Sequence, residues 1–336
     1  MDFARQLALT RQIVDIDSTT GREGEVAACL ATALRELGYH VDEQPVSDGR
    51  FNVYASIDSP VVVLSTHLDC VPPFFPSRID GERLFGRGTC DAKGIAVAQI
   101  AAVERLRDAG ERRVGLLFVV GEERGSDGAR LANTMPPGSR FLINGEPTDN
   151  RLGRATRGLY RTRLRASGRA AHTSQPELGE SAIEKLIDVL IRLRTVTWPV
   201  DTDLGAAYYT VGLIKGGVAP NVVPPDAEAE VLFRSVGPHA PLRALLEGCT
   251  GAGISIDELL IVPPVRLITT PGLPTAVFNF TTDIPFLDRW GAPLLVGPGS
   301  VTVAHTDHEH VGLKDLQDAV DIYASLAMQL MSQPRT

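Results

Sequence analysis

Apolar residues recur at helical spacing over residues 3–15 and again over 21–37, where Gly38 supplies a stop, so two helices are predicted to open the chain. Short runs rich in Val, Leu and Ile follow at 51–57, 61–65 and 114–120, and a helical stretch at 92–109 lies before the third. Strands alternating with helices in this way predict an α/β sheet. Past Gly158 the texture changes, because residues 159–166 alternate apolar and polar positions as a strand with one solvated face does. An amphipathic helix at 181–193, strands at 207–214 and 227–233 joined through the turn-rich stretch 216–225, a helix at 242–247 and one more strand complete the order strand-helix-strand-strand-helix-strand. That order suits a small α+β, ferredoxin-like sandwich. From residue 267 the short apolar runs and Gly/Pro turns return, closing with a helix over 313–331. The expected organisation is one α/β domain, residues 1–157 and 267–336, interrupted by an inserted domain at 158–266.

The 336 residues are more than one hydrophobic core usually needs, and 43% hydrophobic with 22% charged residues describes an ordinary globular protein. The 33 basic residues are outnumbered by 41 acidic ones and form no stripe that could track a phosphate backbone, which argues against a nucleic-acid partner. The first ten residues include Asp2 and Arg5 and lack the apolar run of a signal peptide, and no later stretch approaches the roughly 20 apolar residues of a membrane span. A cytoplasmic location without membrane attachment is expected. Cys29, Cys70, Cys90 and Cys249 are scattered without zinc-ribbon or disulfide spacing and read as buried thiols.

The candidate chemistry lies where apolar runs end. Ser65-Thr66-His67-Leu68-Asp69 carries a His and an Asp two residues apart, on one face of an extended chain. Such a pair can supply a metal ligand and the carboxylate that orients it. The glycine-rich stretch 86–94 delivers Asp91 to a helix start, where it could equally be an N-cap. The run 114–120 ends at Glu122-Glu123, two adjacent carboxylates that are costly to ionise together unless a cation or protons compensate them. One of the two could ligate while its neighbour handles protons. A run at 141–143 ends at Asn144-Gly145-Glu146-Pro147-Thr148, and runs at 294–296 and 301–304, the latter also expected to be extended, lead to His305-Thr306-Asp307-His308-Glu309-His310. In open α/β sheets sites gather at the carboxyl ends of the strands, so His67, Asp91, Glu123, Glu146 and His305 are drawn to one place, with Glu122 left over. Zinc accepts such N and O ligands, and the set suits two ions if one carboxylate bridges.

This order of motifs resembles the zinc amidohydrolase family that includes acetylornithine deacetylase, succinyl-diaminopimelate desuccinylase, aminoacylases and bacterial glutamate carboxypeptidase. The resemblance covers nearly the whole chain and implies the aminopeptidase-like, mixed-sheet catalytic domain of that family with an inserted lid or dimerisation domain. It implies that His67 and Glu146 hold one Zn2+, that Glu123 and His305 hold the other, that Asp91 bridges, and that Glu122 is the general acid/base. Co2+ or Mn2+ could serve in place of zinc. His305 is favoured over His308 and His310 by strand-end placement and by the family pattern. Gly168-Arg169-Ala170-Ala171-His172-Thr173-Ser174 resembles the segment whose histidine completes the partner subunit's site, and Asn221 and Arg234 match the family's substrate-carboxylate pair. Phe280-Thr281-Thr282-Asp283 and Gly297-Pro298-Gly299-Ser300 look most like acetylornithine deacetylase, an enzyme of arginine biosynthesis.

The resulting expectation is a homodimer, paired through its lid domains, that hydrolyses a small N-acyl amino acid such as N-acetylornithine. Glu122 would activate the attacking water and Asp69 would orient His67. A dipeptidase or carboxypeptidase of the same family is the alternative, and a non-catalytic binding protein on this fold is disfavoured because the ligand set and Glu122 are all present. A Ser/His/Asp hydrolase lacks its Gly-x-Ser-x-Gly elbow.

Overall fold

The computed structural model describes residues 1–334, which form two compact units: Met1–Arg154, Arg266–Ala276 and residues 282–334 make the first, and Ala155–Val265 with Val277–Thr281 the second. The short segment Val277–Thr281, assigned by the hydrophobic pattern to the first domain, packs with the second unit.

The first unit is built on a six-stranded mixed sheet in the order His40–Ser47, Arg50–Ser56, Val114–Val119, Val62–His67, Phe141–Asn144, Ala292–Leu295. Val114–Val119, Val62–His67, Phe141–Asn144 and Ala292–Leu295 run parallel, and the two strands at the other edge are antiparallel. Every residue of Val62–His67 and Val114–Val119 is buried, as parallel strands covered on both faces require. The cover includes the helix Lys93–Asp108, whose residues from Lys93 to Glu104 are all buried, and the helix Leu313–Met331. His40–Ser47 is a strand that the apolar pattern does not announce: it is an edge strand carrying His, Asp, Glu, Gln and Pro, and only Gln44 is buried. Conversely, residues 301–304 form successive turns and not the expected extended run. Val303 and Ala304 both donate backbone N–H groups to the carbonyl of Ser300, and Thr306 donates to that of Val303, so the β-branched Val-Thr-Val run is coiled locally without a partner strand.

The second unit is an antiparallel four-stranded sheet in the order Tyr208–Gly216, Asp226–Ser235, Gly158–Ser167, Ile254–Val262, with the helices Ala182–Leu193 and His239–Cys249. In sequence terms the strands lie second, third, first, fourth, the ferredoxin-like arrangement. Gly158–Ser167 and Asp226–Ser235 alternate buried positions with half-buried or exposed ones, and the buried ones, including Tyr160, Leu164, Val231 and Phe233, pack with Leu186, Val189, Leu242 and Leu246 of the helices. No helix among the described residues is long and apolar enough to cross a membrane.

Candidate active site

Register brings the donors together. His67 lies opposite Val119, Ser65 opposite Asn144, and Asn144 opposite Leu295, so the four parallel strands end within two residues of one another and release their next residues on the same edge of the sheet. His67 is the last residue of its strand, Glu122 and Glu123 form a single helical turn just beyond Val114–Val119, and Glu146 follows Phe141–Asn144 by two positions. Gly121 has φ of 80°, and a Cβ there would run into the Asp127 carboxylate, so the sharp turn into the glutamate pair needs glycine. Asp91 arrives from the stretch 86–91, where Gly88, at φ 93°, leaves no room for a Cβ against the Lys93 side chain and Cys70 Sγ.

Asp91 is the centre of the cluster. Its Oδ1 lies 3.0 Å from His67 Nε2 and its Oδ2 3.2 Å from His305 Nε2. His67 Nε2 is 3.9 Å from Glu146 Oε2, and His305 Nε2 is 2.9 Å from Glu123 Oε1. One carboxylate thus serves two imidazoles, each with its own glutamate. The ligand atoms of His67, Asp91 and Glu123 all lie within 4.8 Å of one another.

The two imidazoles are held differently. His67 is 1% exposed, and its Nδ1 donates to the main-chain carbonyl of Asp69 at 2.9 Å. Burial opposes a charged ring there, yet the Asp69 and Asp91 oxygens hold its pKa well above the ordinary value. His305 is 51% exposed, sits in a turn with φ of 63°, and is pushed up to about 10 by its bonds to Asp91 and Glu123. His308 and His310 take other partners: His308 pairs with Asp307, and His310 bonds the His308 carbonyl and lies on the Phe85 ring.

Asp69 makes contacts on two sides. Its carboxylate is 3.5 Å from His67 Nδ1, and it also accepts the backbone N–H groups of Glu122 at 3.0 Å and Glu123 at 3.1 Å, together with the Thr20 hydroxyl at 2.9 Å. The main-chain carbonyl of Asp69 holds the imidazole, and its side chain lies beside that ring and fixes the backbone of the glutamate pair.

The electrostatics call for a cation. Burial, reinforced by the charge of Glu146, pushes the Glu122 carboxyl well above the usual range. Burial and neighbouring carboxylates do the same to Glu146, whose Oε1 is buried without a hydrogen-bond partner. Asp283 is 1% exposed, and burial pushes it up to about 7 against the opposing effect of the Ser126 side chain. Asp91 stays low despite its burial because His305 and His67 stabilise its charge. Carboxylates so concentrated, with an orphaned oxygen facing in, fit divalent cations bound through N and O donors. By contrast, burial pushes Cys70 up to about 12 and Cys90 well above its ordinary value, so both thiols are inert.

The remaining sequence-derived candidates lie in the second unit. His172 is exposed, and its Nδ1 faces Ser174 Oγ at 2.8 Å. Asn221 is exposed, with its carbonyl accepting the Thr173 N–H. Arg234, on the strand paired with Tyr208–Gly216, has a buried Nη1 without a hydrogen-bond partner, and burial pulls its pKa down. Two residues that the sequence reading left without a role, Arg87 and Glu309, are fully buried and hydrogen-bonded around the Asp91 stretch. The signals for them were a charged side chain inside a glycine-rich motif and a Glu set between two histidines of the C-terminal cluster.

An α/β sheet whose aligned strand ends gather imidazoles and carboxylates, interrupted by an α+β insertion, is the architecture of a metal-dependent hydrolase. The chain belongs to peptidase family M20/M25/M40, whose model matches residues 63–329, and it is a hydrolase of that family. It is 36% identical over 369 residues to a probable carboxypeptidase of Aspergillus clavatus, covering 97% of this chain and 89% of that protein. Among solved structures it resembles the aminopeptidase PepT of Bacillus cereus, with a TM-score of 0.82 at 17% identity over 99% of this chain and 100% of that one. It also resembles the YXEP protein of Bacillus subtilis, described as a dinuclear metal binding peptidase, with a TM-score of 0.73 at 17% identity over 98% of this chain and 99% of that one.

Proposed function

We propose that this protein hydrolyses the amide bond of a small substrate bearing a free α-carboxylate, a short peptide or an N-acyl amino acid, at a centre of two divalent metal ions. The observation that carries the reading is Asp91, whose two oxygens each face a different imidazole at 3.0 and 3.2 Å. His67 and Glu146 would hold one ion, Glu123 and His305 the other, and Asp91 both. Zinc suits the donors, with cobalt or manganese as substitutes. Bound ions supply Lewis acidity toward the scissile carbonyl and make water acidic enough to attack near neutral pH.

Glu122 performs the proton work. It is half-buried beside the donors, and its backbone is fixed by Asp69, so its carboxylate is positioned without being tied to an imidazole. It takes a proton from the attacking water as the C–O bond forms, then delivers that proton to the departing nitrogen as the C–N bond breaks. Arg234 has an unused buried donor suited to a planar carboxylate, and Asn221 adds a neutral one. His172 would act in trans in a homodimer paired through the second unit, stabilising the developing oxyanion. The relative named a carboxypeptidase supports peptides as substrates, whereas the Thr281-Thr282-Asp283 and Gly297-Pro298-Gly299 motifs support N-acetylornithine and a place in arginine biosynthesis.

The test is a panel assayed on metal-reconstituted protein: dipeptides, tripeptides and N-acyl amino acids including N-acetylornithine, each with its carboxylate free and amidated. Hydrolysis of free-carboxylate members is expected, with KM at least about tenfold higher for the amidated forms and for R234K, since a bidentate charge-assisted bond is lost. Equal turnover of both forms would overturn the carboxylate reading. No hydrolysis of any member would overturn the reaction itself.

A further inference from the structure

Glu309 lies outside the donor cluster, yet it is completely buried and its hydrogen bonds are unusually concentrated. Its Oε1 accepts three backbone N–H groups, from Gly88 at 2.9 Å, Cys90 at 3.2 Å and Asp91 at 3.2 Å. Its Oε2 accepts Arg87 Nη1 at 2.6 Å. Arg87, itself 1% exposed, uses its remaining donors on main-chain carbonyls, Nη2 to Thr306 at 2.9 Å and Nε to Pro73 at 3.2 Å. Thr306 is the neighbour of His305. The pair therefore ties the stretch that carries Asp91 to the turn that carries His305, across a sequence separation of 222 residues.

We infer that Glu309 and Arg87 are positioning residues that clip the Asp91 and His305 loops together, fixing the bridging carboxylate and the loop-borne imidazole at the separation the metal centre needs. The reason lies in the loops themselves. Asp91 sits on an irregular glycine-rich stretch and His305 in a half-exposed turn at φ 63°, so neither is held by a sheet ladder as His67 is. A carboxylate that accepts several backbone N–H groups fixes a loop as a ladder would. The rigid guanidinium fork then transmits that position to a second loop. Burying this ion pair costs desolvation and offers little net stability, so its worth lies in geometry.

The clip rests on the two-metal reading only for its effect on metal affinity; its effect on the loops can be read without metal. E309Q is the main variant: whichever way the amide is turned, its NH2 group meets a donor, either the three backbone N–H groups or Arg87. R87K keeps the charge but cannot reach Glu309, Thr306 and Pro73 together, and it serves where E309Q does not fold. In metal-free protein, hydrogen exchange of peptides spanning 86–92 and 303–308 is expected to quicken at least about tenfold in either variant, while a peptide within 62–67 does not change. The zinc concentration at half-saturation should rise about ten- to a hundredfold, the usual effect of losing a partner behind metal ligands. KM measured at saturating metal should stay within about twofold of the parent, a split that a general loosening of the molecule would not produce. Unchanged exchange in folded variants, or unchanged half-saturation with exchange quickened only far from these loops, would overturn the clip. A parent protein that binds no metal while the variants still quicken exchange would overturn the metal reading and leave the clip standing.

Discussion

The two imidazoles that flank Asp91 show two ways of holding a functional side chain. His67 ends a fully buried parallel strand, is 1% exposed, and has its Nδ1 fixed by the next turn of the main chain. His305 is 51% exposed in a left-handed turn, with Glu123 and Asp91 bonded to its ring. The strand-borne imidazole is positioned by the core, and its removal is expected to disturb the core. The loop-borne imidazole is positioned by neighbouring side chains, and its removal is expected to cost the fold little. Glu122 is placed through its backbone amide by the Asp69 carboxylate, which leaves its own side chain free for the proton transfer proposed for it.

The largest expected effect separates chemistry from either mode of binding. Glu122→Gln is nearly isosteric and leaves the amide bonds to Asp69 intact, so both ions and the fold should remain while kcat falls on the order of a hundredfold to ten-thousandfold. A kcat within about twofold of the parent would move the proton role elsewhere.

The next effect divides the two imidazoles. His67→Ala and His305→Ala should each lower metal occupancy, measured by elemental analysis after dialysis, whereas His308→Ala and His310→Ala should not. Urea unfolding of the metal-free variants should distinguish the first two. His67→Ala leaves buried carboxylates uncompensated and should cost about 3 kcal/mol, while His305→Ala, at a half-exposed site, should cost about 1 kcal/mol or less. Equal costs would erase the distinction between core-held and loop-held ligands.

The smallest effect concerns Asp283, whose charged neighbours include His67, Asp69 and Asp127 on the buried side of the site. A carboxyl pushed up to about 7 by burial is favoured in its protonated form by the folded state, so it costs stability as pH rises from about 4 toward 7. Asp283→Asn should therefore raise the Tm of metal-free protein by roughly 5 °C at pH 8, with the gain shrinking toward pH 5. A gain independent of pH would mean that packing, and not ionisation, sets the effect.

How much of this was legible in the sequence follows the same division. His67, Glu122, Glu123 and Glu146 each lie two or three residues past the end of an apolar run, and such runs are readable because parallel strands covered on both faces admit few polar residues. The alternation of Gly158–Ser167 likewise showed a one-faced sheet. The His305 region was harder to read: Val301-Thr302-Val303 has strand composition but no partner, and backbone bonding to Ser300 coils it. His40–Ser47 was missed because an edge strand with one buried position has no apolar signature. The Glu309 and Arg87 contacts join residues 222 apart, and the bonds of the Asp69 carboxylate to the Glu122 and Glu123 backbone N–H groups depend on three-dimensional register; neither leaves a local pattern.

The most direct test of the account is the number of metal ions bound by the parent chain, counted by elemental analysis after loading with zinc and exhaustive dialysis, alongside activity on the same sample. A centre bridged by Asp91 predicts two ions per chain, with activity rising as the second is filled. Full activity in protein that never holds more than one ion would contradict it.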